Sequence, residues 1–255
     1  MTGMHIALLR SFADAPPLGW EEGWLYNLWL ERGLLWDIWF NLIHAERYLL
    51  ILNGLLLTLL IAAVGVIIGI VFGFILALMK ISRFKPLRLF ATTYISIIRG
   101  IPMMVQLLIW TYLIFTSPGF SKLMICFIAF GINSGAYVAE IFRAGILSVD
   151  KGQTEAGRSV GLTSTQTMRL IVFPQAIKNA LPPLCNEFII LFKDTALVGF
   201  IGVQEMTRAA NLITSRTFNP FVSLLTVALI YLTIVLILTK LLSILERRLR
   251  KSDTR

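Results

Sequence analysis

The chain has 255 residues, 57% of them hydrophobic and only 15% charged, with a mean hydropathy of +0.79, against roughly 25% charged residues in an ordinary soluble domain. That balance excludes a soluble globular enzyme and leaves room for several membrane-spanning helices, each needing about 20 apolar residues to cross a ~30 Å lipid core. The net charge of +9 would suggest nucleic acid in a soluble chain, but in a membrane chain the placement of basic residues reports orientation.

Residues 1–47 form an acidic leader, with Arg10, Arg32 and Arg47 against Asp14, Glu21, Glu22, Glu31, Asp37 and Glu46. Residues 20–39 hold five of the six tryptophans among charges too dense for a span. The stretch reads as a helix lying in the outer interface with its indoles at headgroup depth, a partly disordered leader being the alternative. The apolar run at 6–9 is too short for a signal peptide, so an uncleaved N-terminus is expected.

Five apolar runs follow, at 48–79, 87–115, 123–146, 181–203 and 221–245. The expected fold is therefore an all-α membrane protein of about five transmembrane helices, a domain of residues 48–245 ending in a basic tail, 246–255. Five crossings put the termini on opposite sides. Fifteen basic residues fall after the first, third and fifth runs and six on the other side, which places the N-terminus outside and the C-terminus in the cytoplasm. The basic excess is thereby an orientation signal, and no nucleic-acid partner is expected.

In the first run Gly65, Gly69 and Gly73 recur every fourth residue, lining one helical face where a neighbouring backbone can approach closely. Cys126 and Cys185 lie in apolar runs far from His5 and His44, so no metal or redox cluster is expected.

Charges at membrane depth are expensive, which makes Arg99, Glu140, Glu187, Lys193 and Asp194 functional candidates, with mutual pairing as the alternative. Arg99 is followed at once by Gly100 and Pro102, where the second span should break. Pro102 suits the first position of a new half-helix, whose N-terminus together with Arg99 would favour a substrate carboxylate. In the fourth run Asn186 and Lys193 share one helical face and Glu187 and Asp194 the adjoining one, two polar stripes that line a pathway or face a symmetry mate. Glu140 is the expected partner of Lys193.

The polar interruption at 148–180 contains Glu155, Ala156 and Gly157, then Gly161, then Ile171 and Pro174. Gly161 can take the left-handed conformation that ends a helix, and Thr163 with Gln166 forms a capping box for the next. Two short helices with a turn between them are predicted on the cytoplasmic side. Gly152, Gly157, Arg158 and Ser159 imitate a phosphate-binding loop, but no strand precedes them. No nucleotide site is expected in this chain.

This loop resembles that of the permease subunits of binding-protein-dependent ATP-binding cassette importers, whose signature runs E-A-A, three residues, G, nine residues, I, one residue, L-P. The spacing is complete; Gly157 replaces the third Ala, which should loosen the helix slightly, and Phe173 the Leu. Residues 99–102, 135–143, 174–176, 186–189 and 193–195 resemble the polar amino acid branch of that family, so that the likeness covers residues 48–245.

The resemblance implies a type I importer permease whose loop, through Glu155, Ala156, Gly157, Gly161, Ile171 and Pro174, docks on an ATP-binding subunit. It also implies two such subunits carrying ATP and Mg, a second copy of the chain or a homologous permease, an external amino-acid-binding protein, and a site in a bacterial cytoplasmic membrane among its lipids. No cofactor is expected on the chain itself. An ion-driven carrier could use the same carboxylates, and a membrane-embedded enzyme is a third reading, but two homologous halves and a paired nucleophile and base are not found.

Overall fold

The computed structural model describes residues 33–117 and 119–251. Most of the leader, including the first three of its tryptophans, lies outside the described residues, so the expected interfacial helix is untested there. Its described end is a short helix, α1 (Leu34–Ile38), a π-helical turn (Trp39–Ile43) and a 3-10 turn (His44–Glu46). Asn41 is fully buried and ties this end down, donating to the Asp37 carbonyl at 2.7 Å and accepting from the Thr217 hydroxyl at 2.7 Å.

The described residues form no strand. α2 (Tyr48–Ile81) is a run without proline whose 34 residues, at 1.5 Å each, reach about 50 Å. α3 (Lys85–Gly100) and α4 (Met103–Ile109), the latter continued by a π-helical turn (Trp110–Ile114), meet at a 103° bend. α5 (Lys122–Leu147) is started by the Ser121 hydroxyl, which accepts from the Met124 N–H at 3.2 Å. Then come α6 (Lys151–Ser159), α7 (Ser164–Thr167), α8 (Phe173–Asp194) with a 3-10 extension (Thr195–Ile201), α9 (Met206–Thr217) and α10 (Pro220–Lys251).

Length and apolarity alone single out fewer helices than the five expected runs. Three helices, α2, α5 and α10, are long and apolar enough to cross a membrane, and the bent α3–α4 pair makes a fourth. The segment expected as the fourth run lies on α8, which starts earlier, at Phe173, and carries Pro182, Pro183, Asn186, Glu187, Lys193 and Asp194. Those polar residues keep it below the apolarity of a lipid-facing span. α8 instead buries one face against α5 and α10, with Leu191 and Phe192 in the core.

α2 and α5 form the centre of the fold. A methyl group added at Gly65 would stand 2.9 Å from the Cβ of Phe130, and one at Gly73 2.7 Å from both the Gly135 carbonyl and the Val138 Cβ. At Gly69 the added group would collide with Ser134. The seam continues at Gly54, where the obstacle is the backbone of Glu205 and Met206 at the start of α9. Close approach of backbones replaces side-chain interdigitation along this line, as in small-residue membrane packing.

Candidate functional site

The break between α3 and α4 is the first part of the site. α3 ends at Gly100, and Pro102 caps α4 from the position before its first turn, one residue ahead of the place the sequence suggested, because its ψ of 138° is extended. A broken helix exposes carbonyls that lipid cannot satisfy. Gln106 supplies the donor: its buried amide gives hydrogen bonds to the carbonyls of Ile98 at 2.7 Å and Ile101 at 2.8 Å, while Asn133 of α5 donates to its oxygen at 3.3 Å. Gln106 and Asn133 were not singled out in the sequence.

Beside the break lies a cavity of about 350 Å³, lined by Arg99, Gly100, Pro102, Asn133, Tyr137, Glu187 and Asp194 with apolar neighbours. Arg99 is held over the Tyr137 ring, its guanidinium carbon 5.1 Å from the centroid. Glu187 is buried and Asp194 half-buried. A second cavity of about 450 Å³ shares Arg99, Tyr137 and Glu187 and runs along α5 and α8 past Glu140 and Asn186 to Ser148 and Asn179. The structure thus gathers Arg99, Gly100, Pro102, Glu187 and Asp194 around one space and Glu140 and Asn186 around its continuation.

Lys193 lines neither cavity and is exposed. The expected Glu140–Lys193 pair does not form. Glu140 pairs with Lys80, at the C-terminal end of α2, and with Arg143 one turn on, whose Nε donates to Oε2 at 2.9 Å. The reason is packing: the line of contact between α2 and α5 brings Lys80 to Glu140, whereas Lys193 sits at the far end of α8 on its outward face.

The loop is the second part of the site. Asp150 caps α6 by accepting from the Gly152 N–H at 2.7 Å. α6 ends in a Schellman arrangement, with Gly161 at φ +88°, its N–H donating to the Arg158 carbonyl at 3.1 Å and the Leu162 N–H to the Gly157 carbonyl at 3.2 Å. Thr163 and Gln166 make the capping box of α7. Two features differ from expectation. α7 does not end before the membrane, because a π-helical stretch (Met168–Val172) joins it to α8. Gly157 does more than loosen α6: it is buried where α6 crosses the next helix, and an added Cβ would meet Thr167 Cγ2 at 2.7 Å and Ile171 Cδ1 at 2.8 Å. Glu155 and Ala156 are exposed, Pro174 lies exposed in the first turn of α8, and Ile171 is half-buried against α6.

Glu205 is a further residue the sequence reading passed over. It is fully buried and caps α9, accepting from the backbone N–H groups of Thr207 and Arg208, each at 2.6 Å, with the Tyr231 hydroxyl 3.4 Å away. Burial holds its carboxyl above the ordinary value against the pull of those hydrogen bonds.

Residues 69–251 match the family described as binding-protein-dependent transport system inner membrane component. The chain is 39% identical to a putative glutamine transport system permease protein of Rickettsia bellii, over 80% of its own length and 95% of the relative's. It is 40% identical to an arginine transport system permease protein of Bacillus subtilis, over 80% and 94%. Among solved structures, a chain from the crystal structure of an amino acid ABC transporter with histidines matches with a TM-score of 0.77 at 44% identity, covering 80% of this chain and 96% of that one. The chain belongs to the binding-protein-dependent transport system inner membrane components.

Proposed function

We propose that this family member is the permease of an ATP-driven importer and that the solute it passes is a polar amino acid. The observation that carries the reading is the cavity at the helix break, whose wall holds one guanidinium, Arg99, and two carboxylates, Glu187 and Asp194, together with the Asn133 amide and the Tyr137 ring. Its volume of about 350 Å³ lies at the lower end of small-molecule sites. The guanidinium offers a fork of donors to a substrate carboxylate, and the two carboxylates accept from an ammonium. Glutamine, arginine and histidine, named for the relatives and the solved structure, share only that α-amino acid head group.

The loop supplies the coupling. Its exposed Glu155–Ala156 face docks on an ATP-binding subunit, two of which carry ATP and Mg; the permease itself is not an enzyme and holds no cofactor. From the start of α7 helical backbone continues through the π-helical stretch and past Pro182 and Pro183 to Asp194, a path of about 45 Å along which a displacement of the loop reaches Glu187 and Asp194. An external binding protein delivers the amino acid on the side of the N-terminus, and the basic loop and tail lie in the cytoplasm.

Uptake into proteoliposomes containing the permease, its ATP-binding subunits and the binding protein tests both halves. Arg99→Ala should lower uptake at least about tenfold while the ATP-binding subunit still copurifies, and Glu155→Lys should release that subunit. Undiminished transport by Arg99→Ala would overturn the substrate role of the cavity. Uptake that resists vanadate and collapses with a proton uncoupler would favour an ion-driven carrier.

A further inference from the structure

The charges around the two cavities do not balance within the chain. Arg99, Glu140, Glu187 and Asp194 are the charged side chains in their walls. Glu140 is already matched: Lys80 donates to its Oε1 and Arg143 to its Oε2, the latter at 2.9 Å. Among the described residues Arg99, Glu187 and Asp194 form no ion pair, and Lys193, although next to Asp194 in sequence, is exposed and lines neither cavity. One positive charge is left against two negative ones.

Hydrogen bonding tips the wall the same way. A side-chain amide has two N–H donors on its nitrogen and acceptor sites on its oxygen. The Gln106 nitrogen donates to the carbonyls of both Ile98 and Ile101, so only its oxygen is left to bond Asn133, and Asn133 must turn its own nitrogen toward it. That leaves the Asn133 oxygen to accept. The network that mends the helix break thereby sets the polarity of the cavity beside it: Asn133, Glu187 and Asp194 offer acceptors, and Arg99 has donors only.

We propose that the solute of this cavity is an amino acid with a cationic side chain, a guanidinium or an ammonium, held in preference to one with an amide or an acidic side chain. The inference rests on the permease reading and on the cavity as the place of the solute. The head group of every α-amino acid is a zwitterion, whose carboxylate answers Arg99 and whose ammonium answers one of the two carboxylates. The other carboxylate then stands uncompensated at membrane depth, where an unpaired charge is expensive. A cationic side chain neutralises it, an amide leaves it as it was, and an acidic side chain adds a like charge, the repulsive element by which a site excludes the wrong ligand. Glu187 suits the side-chain role. It is buried and lines both cavities, so a long side chain that passes from the first into the second keeps its cation beside it, whereas Asp194 lines only the first.

Equilibrium binding of radiolabelled arginine, lysine, glutamine and glutamate to the detergent-solubilised complex of the permease with its ATP-binding subunits tests the assignment. Omitting the external binding protein removes that protein's own selectivity. Arginine or lysine should bind at least about tenfold more tightly than glutamine, and glutamate most weakly. Glu187→Gln, which keeps the shape and removes the charge, should reduce the preference for arginine over glutamine at least about tenfold. Asp194→Asn should reduce it in the same direction, and gives the answer where Glu187→Gln does not assemble with the ATP-binding subunits.

Wild-type complex that binds glutamine or glutamate as tightly as arginine and lysine would overturn the inference while leaving the cavity as a solute site. Glu187→Gln or Asp194→Asn that weakens arginine and glutamine alike would overturn it too, since a merely structural role predicts that result. Wild-type complex that binds none of the four would refute the inference together with the solute role of the cavity on which it rests.

Discussion

Replacing Gly157 by alanine restores the residue usual in the signature loop, yet the structure makes it a destabilising change. On α6 alone, Gly→Ala gains about 0.8–1 kcal/mol of helix propensity. Against that, the new Cβ would stand 2.7 Å from Thr167 Cγ2, 2.8 Å from Ile171 Cδ1 and 3.1 Å from Thr167 Oγ1. Thr167 cannot swing away freely, because it is 1% exposed and its hydroxyl is bonded to the Thr163 carbonyl at 3.0 Å. Overpacking of this kind costs about 1–3 kcal/mol, leaving a net loss of up to about 2 kcal/mol at the α6–α7 crossing, a factor of up to about 30 in its opening equilibrium. Hydrogen exchange of the amides in residues 151–172 reads that factor directly. Gly157→Ala should speed exchange there, and adding Thr167→Ala, which removes both obstructing atoms of Thr167, should slow it again. Slower exchange in the single variant than in the wild type would show that the crossing has slack and that the propensity gain prevails.

Three further changes probe the rest of the molecule. Gln106→Leu leaves the carbonyls of Ile98 and Ile101 without their donor and should cost about 1–3 kcal/mol, read as a lower unfolding temperature in detergent; an unchanged midpoint would mean that the break does not depend on Gln106. Glu140→Lys should lower the same midpoint, and Lys80→Glu on top of it should recover most of the loss because the pair re-forms reversed, whereas Lys193→Glu should not; recovery by the latter alone would refute the observed pairing. Glu205 gives a pH signature. Its folded carboxyl holds a proton more tightly than the unfolded one, so stability should fall as pH rises from the ordinary value of 4.5 through the raised one. Glu205→Gln should flatten that part of the profile, and a profile unchanged by the substitution would assign the slope to other groups.

What the sequence made legible was local. The end of α6 follows from a glycine that alone tolerates φ +88°, and the start of α7 from a threonine and a glutamine three residues apart, both fixed by neighbours within one turn. The break after Arg99 is of the same kind, written in Gly100 and Pro102. Partnerships between helices were not legible. Glu140 could be matched to any lysine by charge, and only the packing of α2 on α5 selects Lys80. Gln106 gave a faint signal, a lone amide four residues beyond a proline inside an apolar run, which at membrane depth implies a backbone in need of a donor. The length of α8 was misjudged because its polar residues looked like loop, whereas the prolines at 182 and 183 lie within a continuous helix.

Constraint and slack are separated along the molecule, and the separation bears on where motion can occur. At Gly54, Gly65 and Gly73 an added methyl group meets neighbouring atoms at 2.9 Å or less, and at Gly145 it meets the Ala176 carbonyl at 2.7 Å, so α2 is locked to α5 and α9, and α5 to the start of α8. Gly100, at the break, has nothing within 4 Å of such a group, and the cavity of about 350 Å³ lies on that side. Packed seams of this tightness have few alternative arrangements, because every displacement loses contacts on one flank and creates clashes on the other. A displacement entering through the loop therefore meets rigid packing at the base of α8 and free volume farther along, beside Glu187 and Asp194. The charged residues stand where the fold has space to rearrange them.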